Sequence, residues 1–130
     1  MTVKRTGQLL LFFICALLAF STATAGAQEE KIAVAANGDN TDTLISQKTA
    51  RAPFILIFDK NGNLVESHKN PTIRDRRAGP AMAQWLAENH VDIIIGGNFG
   101  ARMTQALEDL QIRRIKKSGS VIAAVKDVLE

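Results

Sequence analysis

Cysteine is nearly absent from this chain: the single one in 130 residues is Cys15, and it lies in an apolar run close to the N-terminus. With that run removed as a leader no cysteine remains, which excludes disulfides, zinc knuckles and cysteine-ligated iron–sulfur clusters within one chain. Histidine is almost as scarce. Beyond the leader, His68, His90, Met82 and Met103 are the only soft or borderline metal ligands. An excess of either charge is also missing. Lys4 and Arg5 fall in the leader and account for two of the 16 basic residues, which leaves 14 against 13 acidic ones. A nearly neutral domain gives bulk charge no hold on nucleic acid. No internal repeat and no low-complexity tract follows the leader.

Residues 1–27 carry the features of a cleavable secretory signal. Lys4 and Arg5 form a basic start, residues 9–20 an apolar stretch of 12, and Ala25-Gly26-Ala27 an A-x-A site before Gln28. The stretch is shorter than the roughly 20 residues that a membrane helix needs. Gln28, Glu29 and Glu30 follow it, where a stop-transfer anchor would carry basic residues. Cleavage after Ala25 is the other choice, and an uncleaved anchor is the competing reading. The FFIC sequence ending at Cys15 lacks the small residues that precede a lipidated cysteine. Export by the general secretion route is expected, to the periplasm or beyond the cell, with no membrane segment after cleavage. Residues 28–130 then form one domain of about 100 residues, large enough for a core without cross-links.

Within that domain, residues 31–36 (KIAVAA) read as a buried strand ended by the turn cluster Asn37-Gly38-Asp39-Asn40. Residues 54–59 (FILIFD) and the alternating residues 64–69 flank an Asn-Gly turn and predict a β-hairpin. Gly79-Pro80 opens a helix with Met82, Trp85, Leu86 and Asn89 on one face. Residues 91–95 (VDIII) are a further strand. Phe99, Met103, Ala106, Leu107 and Leu110 share a second helical face. A short basic strand over residues 112–116 follows. Ser118-Gly119-Ser120 then caps a last helix that turns Val121 or Ile122, Val125, Val128 and Leu129 inward. The pattern predicts an α/β fold, a mixed sheet of about five strands with three helices.

The candidate site is built from turns. Gly96-Gly97-Asn98-Phe99-Gly100 joins a strand end to a helix start, where backbone N–H groups and the helix dipole favour an anion. The competing reading is a tight turn with no ligand. Gly79 repeats the arrangement one helix earlier, and the loop before it carries Arg74, Arg76 and Arg77, guanidinium groups suited to an anionic ligand. His68 is the candidate metal ligand. His90 reads as a partner of a helix C-terminus, and Met82 and Met103 as core. An enzyme is not expected. Asp39, Asp59 and Asp92 are scattered, the first strand has no central acid for a two-metal site, and no serine or threonine has a credible histidine partner. The glycine turn also lacks the P-loop lysine.

Residues 31–130 resemble the iron–molybdenum cofactor biosynthesis domain family, found in NifX, in the cluster-binding part of NafY, at the end of many NifB chains and in the orange protein. The stretches that carry the resemblance are KIAVAANGD, RAPFILIFDKNGNLVESHKNP, AGPAMAQWLAENHVDIIIGGNFG and SGSVIAAVKDVLE, taken in register. The resemblance implies a ribonuclease H-like fold and a non-enzymatic carrier or chaperone. Its cargo would be an anionic molybdenum–iron or molybdenum–copper sulfide cluster, held here without cysteine ligands and passed between a donor and a recipient protein. Residues 46–50 (SQKTA) stand where many members carry a His-Phe-Gly stretch, and residues 75–77 (DRR) where many carry a histidine. Those departures motivate the alternative, a partner-binding or regulatory module that has lost cofactor binding. The leader is a third departure, because nitrogenase assembly is cytoplasmic. Mass spectrometry of the protein from its native host is expected to find a chain beginning at Gln28. A chain beginning at Met1 in the membrane fraction would overturn the leader.

Overall fold

Apolar runs that are buried on both sides become the centre of a sheet. β1 (Ile32–Ala36) is buried at every residue, and so is β4 (Ile93–Gly96). The two pair in parallel, with Ile32 beside Ile93 and Val34 beside Ile95, as expected for strands covered on both faces. β2 (Phe54–Phe58) lies antiparallel on the other side of β1, and β3 (Leu64–Lys69) forms the outer arm of the hairpin. β5 (Arg113–Lys116) runs parallel to β4. The sheet order is therefore β3-β2-β1-β4-β5. The computed structural model describes residues 29–130, so the expected leader and its cleavage site lie outside the described residues.

Three helices cover the sheet, α1 (Ala78–Glu88), α2 (Ala101–Asp109) and α3 (Val121–Leu129). Met82, Ala83 and Leu86 of α1 and Met103 and Leu107 of α2 pack on one face against Ala33, Ile55, Ile57 and Ile94. Val121, Ala124 and Val125 of α3 pack on the other against Val34, Leu56, Phe58 and Ile95. Alternation along each strand divides the two cores, because successive side chains point to opposite faces. Among the described residues no helix is long and apolar enough to cross a membrane.

The turns follow from side-chain chemistry. In the hairpin, Asp59 Oδ1 accepts the amides of Asn61 and Asn63, and Gly62 takes the left-handed conformation at φ 84°. The Asn63 amide and its neighbours hold the Asp59 carboxyl below the usual range. Two helices end the same way. At the end of α1 the His90 amide donates to Ala87 and the Val91 amide to Leu86; at the end of α2 Gln111 donates to Glu108 and Ile112 to Leu107. These are Schellman motifs, whose left-handed residue is most often glycine. Here it is His90 at φ 58° and Gln111 at φ 59°.

One inward assignment, Leu129, needs correction, and the second helical face is narrower than its spacing suggests. Leu129 is 37% exposed and Leu110 36%, because each sits in the last turn of its helix or just past it, beyond the sheet it would cover. Phe99 precedes α2 and is only partly buried against the core. α1 begins one residue earlier than Gly79-Pro80, at Ala78.

His90 is exposed and its side chain is not needed for the turn. His90→Gly is expected to raise stability by about 0.5–1 kcal/mol through relief of the left-handed strain, measured as a higher midpoint in chemical denaturation.

Candidate functional site

A strap of backbone, residues 43–49, crosses the carboxyl ends of β1 and β4. The Ser46 amide donates to Ala35, while the amides of Gly97 and Asn98 donate to the carbonyls of Ser46 and Gln47, and the Thr49 amide donates to Asn98. Isolated bridges pair Ala36 with Ile45 and Lys48 with Asn98. The glycines of the turn are explained by this contact. A Cβ on Gly97 would lie 2.6 Å from Gln47 Cα, and one on Gly96 2.2 Å from Thr49 Oγ1. The Gly97 and Asn98 N–H groups, expected to face an anion, are therefore engaged by the chain itself, and the close approach that Gly96 and Gly97 permit is to the strap. The Thr49 hydroxyl, packed on Gly96, is buried with no hydrogen-bond partner.

The open helix start lies one step further along the chain. Gly100 precedes α2 with no side-chain cap and no acidic residue in the first turn, and nothing occupies the space beside its Cα. The start of α1 stands next to it. It too lacks a side-chain cap and an acidic first turn, and a Cβ on Gly79 would meet Met103 Cβ at 2.8 Å. Gly79 thus lets the first turns of the two helices touch. Between them opens a cleft of about 310 Å³ whose lining includes Arg51, Arg76, Arg77, Gly79, Gly100 and Arg102, and no carboxylate. Arg51 is tied by its guanidinium to the carbonyls of Ile73 and Asp75, which anchors the arginine loop to the strap. Among the described residues, Arg76, Arg77 and Arg102 form no ion pair.

The predicted residues are thus only partly brought together. Arg76, Arg77, Gly79 and Gly100 share the cleft. Arg74 is exposed on the same loop but does not line it. Gly97 and Asn98 border a separate cleft with Lys116 and Lys117. His68 lines neither: its Nε2 lies 3.2 Å from Glu66 Oε1, and its ring stands edge-on to Trp85 at 5.1 Å between centroids. Among the described residues no three histidine, cysteine or acidic side chains converge as a metal site. Arg51 and Arg102 went unnoticed in the sequence. Arg51 opens the R-A-P stretch and Arg102 sits in the first turn of α2, and only the apposition of the two helix starts marks them.

Residues 30–130 match the family model described as dinitrogenase iron–molybdenum cofactor. The chain belongs to this family. Its structure is similar to that of the apo form of the orange protein from Desulfovibrio gigas, at 26% identity and a TM-score of 0.72, covering 80% of this chain and 90% of that one. PH0822 has the same fold at 15% identity and a TM-score of 0.65, covering 76% and 89% of the two chains. So does a Thermotoga protein provisionally assigned as NifB, at 23% identity and a TM-score of 0.63, covering 76% and 85%. No curated protein gives a significant sequence match. The mixed five-stranded sheet with three helices is thus the fold of the orange protein.

Chemically, the cleft offers N–H groups of two helix starts and four guanidinium groups; no carboxylate lines it, and the nearby Asp75 Oδ1 is taken up by the Arg77 amide. That combination receives an anion through charge and N–H donation and leaves metal coordination to the anion's own ligands. Gly97→Ala is expected to cost about 1–3 kcal/mol, because strap backbone and not a flexible side chain stands in the way. Gly100→Ala, with open space beside it, should cost only about 0.5–1 kcal/mol, the difference between glycine and alanine as an N-cap, read from the denaturation midpoint.

Proposed function

We propose that this protein is an exported, non-enzymatic carrier that holds an anionic metal–sulfur cofactor or precursor, of molybdenum–iron or molybdenum–copper type, in the arginine cleft. The carrying observation is the cleft itself. In a domain with almost no net charge, four arginines gather at two touching helix starts, and no carboxylate lines the cleft between them. Family membership supplies the class of cargo. The cleft chemistry supplies the mode: sulfide faces of the cluster accept N–H groups from Arg76, Arg77 and the first turns of α1 and α2, so that release needs no metal–protein bond to break. Arg51 and Arg102 close the sides. Handing on a cluster held this way requires a donor and a recipient protein. Residues 1–27 would take the finished chain to the periplasm or outside the cell.

A second reading has one observation in its favour. The absence of a three-ligand metal site among the described residues also suits a regulatory module that binds a partner and no cluster. The two readings part on one experiment. The protein is mixed anaerobically with tetrathiomolybdate and cuprous ion, passed through gel filtration, and analysed for molybdenum and copper. The carrier predicts co-elution with a sulfide-to-metal absorption band, and the R76A/R77A variant should retain about tenfold less, each lost charge-assisted bond weakening the hold. Gly100→Asp gives a sharper result. A carboxylate there caps α2 and occupies the anion's place, so stability should rise by about 0.5–1 kcal/mol while metal retention falls. If the unaltered protein elutes free of metal, the regulatory module takes first place.

A further inference from the structure

We infer that the free edge of β5 is a docking strand for an extended acidic segment of a partner protein. β5 ends the sheet, with β4 on one side and no strand on the other. Its inner hydrogen bonds run from the Arg113 amide to Asp92 and from the Lys117 amide to Gly96. By the two-residue period of a strand, the N–H and C=O groups of Arg114 and Lys116 point outward. The side chains along this edge are cationic. Arg113, Arg114 and Lys116 are exposed and form no ion pair among the described residues, and only Lys117 has a partner, Asp127.

The charge selects the occupant. A second copy of the chain paired β5 to β5 would set arginine and lysine against arginine and lysine, a destabilising arrangement. An acidic strand places carboxylates opposite the same cations, while its main chain takes up the outward groups of Arg114 and Lys116, the mode known as β-augmentation. At the carboxyl end of β5 a cleft of about 350 Å³, lined by Gln47, Asn98, Lys116, Lys117 and Ser118, receives the next acidic side chain of the segment. None of these residues lines the arginine cleft, so the docking strand stands whether or not a cluster is carried there.

A fluorescent peptide of about eight residues alternating Glu and Val, long enough for one strand, is titrated into the protein by anisotropy, with amide hydrogen exchange measured alongside. Saturable binding is expected, weakened about tenfold or more in R114E/K116E and unchanged in Lys69→Glu on the opposite edge. Exchange at the Arg114 and Lys116 amides should slow when the peptide is bound. The neutral R114Q/K116Q pair, checked by circular dichroism, should show an intermediate loss and guards against misfolding of the charge-reversed variant. No binding would leave the basic edge as a guard against sheet-to-sheet aggregation and overturn the inference. Equal binding by R114E/K116E, or binding without slowed exchange at the two amides, would overturn it as well.

Discussion

The contact on which the rest of this structure depends is backbone against backbone: the strap at Ser46 and Gln47 lying on Gly97, with the Thr49 side chain packed on Gly96 beside it. It is a contact that no side chain could survive, since even a methyl group on Gly97 would fall 2.6 Å from Gln47 Cα. Three amide hydrogen bonds along the turn seal it. Such bonds are individually modest, but breaking them would leave the buried Gly97 and Thr49 donors unpaired, which costs more than the bonds contribute. The strap in turn carries Thr49–Arg51, a short 3₁₀ turn, to the mouth of the arginine cleft. Arg51 then holds the loop of Arg76 and Arg77 through the Ile73 carbonyl. A glycine pair at the end of a central strand thereby sets the position of a cationic group on a different loop.

Charge is distributed in this molecule with a purpose that its total conceals. Fourteen basic and 13 acidic residues nearly cancel over residues 28–130, yet cations collect at the helix starts and again along β5, while no carboxylate lines either cleft. Exposed cations held without partners keep their full field toward a ligand, whereas paired ones are screened by their own counter-ions. The two helix starts reinforce that field, because each lacks the acidic first turn that would ordinarily balance a helix dipole. Stability is given up at those positions, and anion affinity is what the arrangement can gain from it.

Most of the architecture is legible along the chain. Five strands and three helices follow from runs such as FILIF and the spacing of Met103 and Leu107, because the periodicity of burial is a local property of a strand or helix in contact with one core. The hairpin follows from Asn-Gly between Asp59 and Leu64, and the helix starts from Gly79-Pro80 and Gly100. Half of the site was legible for the same reason: Arg76, Arg77, Gly79 and Gly100 stand at local signals. What the sequence could not distinguish was a glycine that admits a ligand from a glycine that admits the chain. Gly97 and Gly100 look alike in GGNFG, but one is pressed by the strap and the other faces open space.

By itself, then, the sequence determined the element types, the near-neutral charge balance of residues 28–130 and the lack of cysteine ligands after Cys15, all of which are properties of composition or of neighbours along the chain. Tertiary structure alone decided that Arg51 and Arg102 join Arg76 and Arg77, that Asn98 turns to a different cleft, and that β5 keeps an open edge. The physical reason is that these outcomes turn on which distant backbones touch. Arg51 and Arg102 are separated by half of the domain's length, and what brings them together is the contact of Gly79 with Met103 and the strap that leads to Arg51.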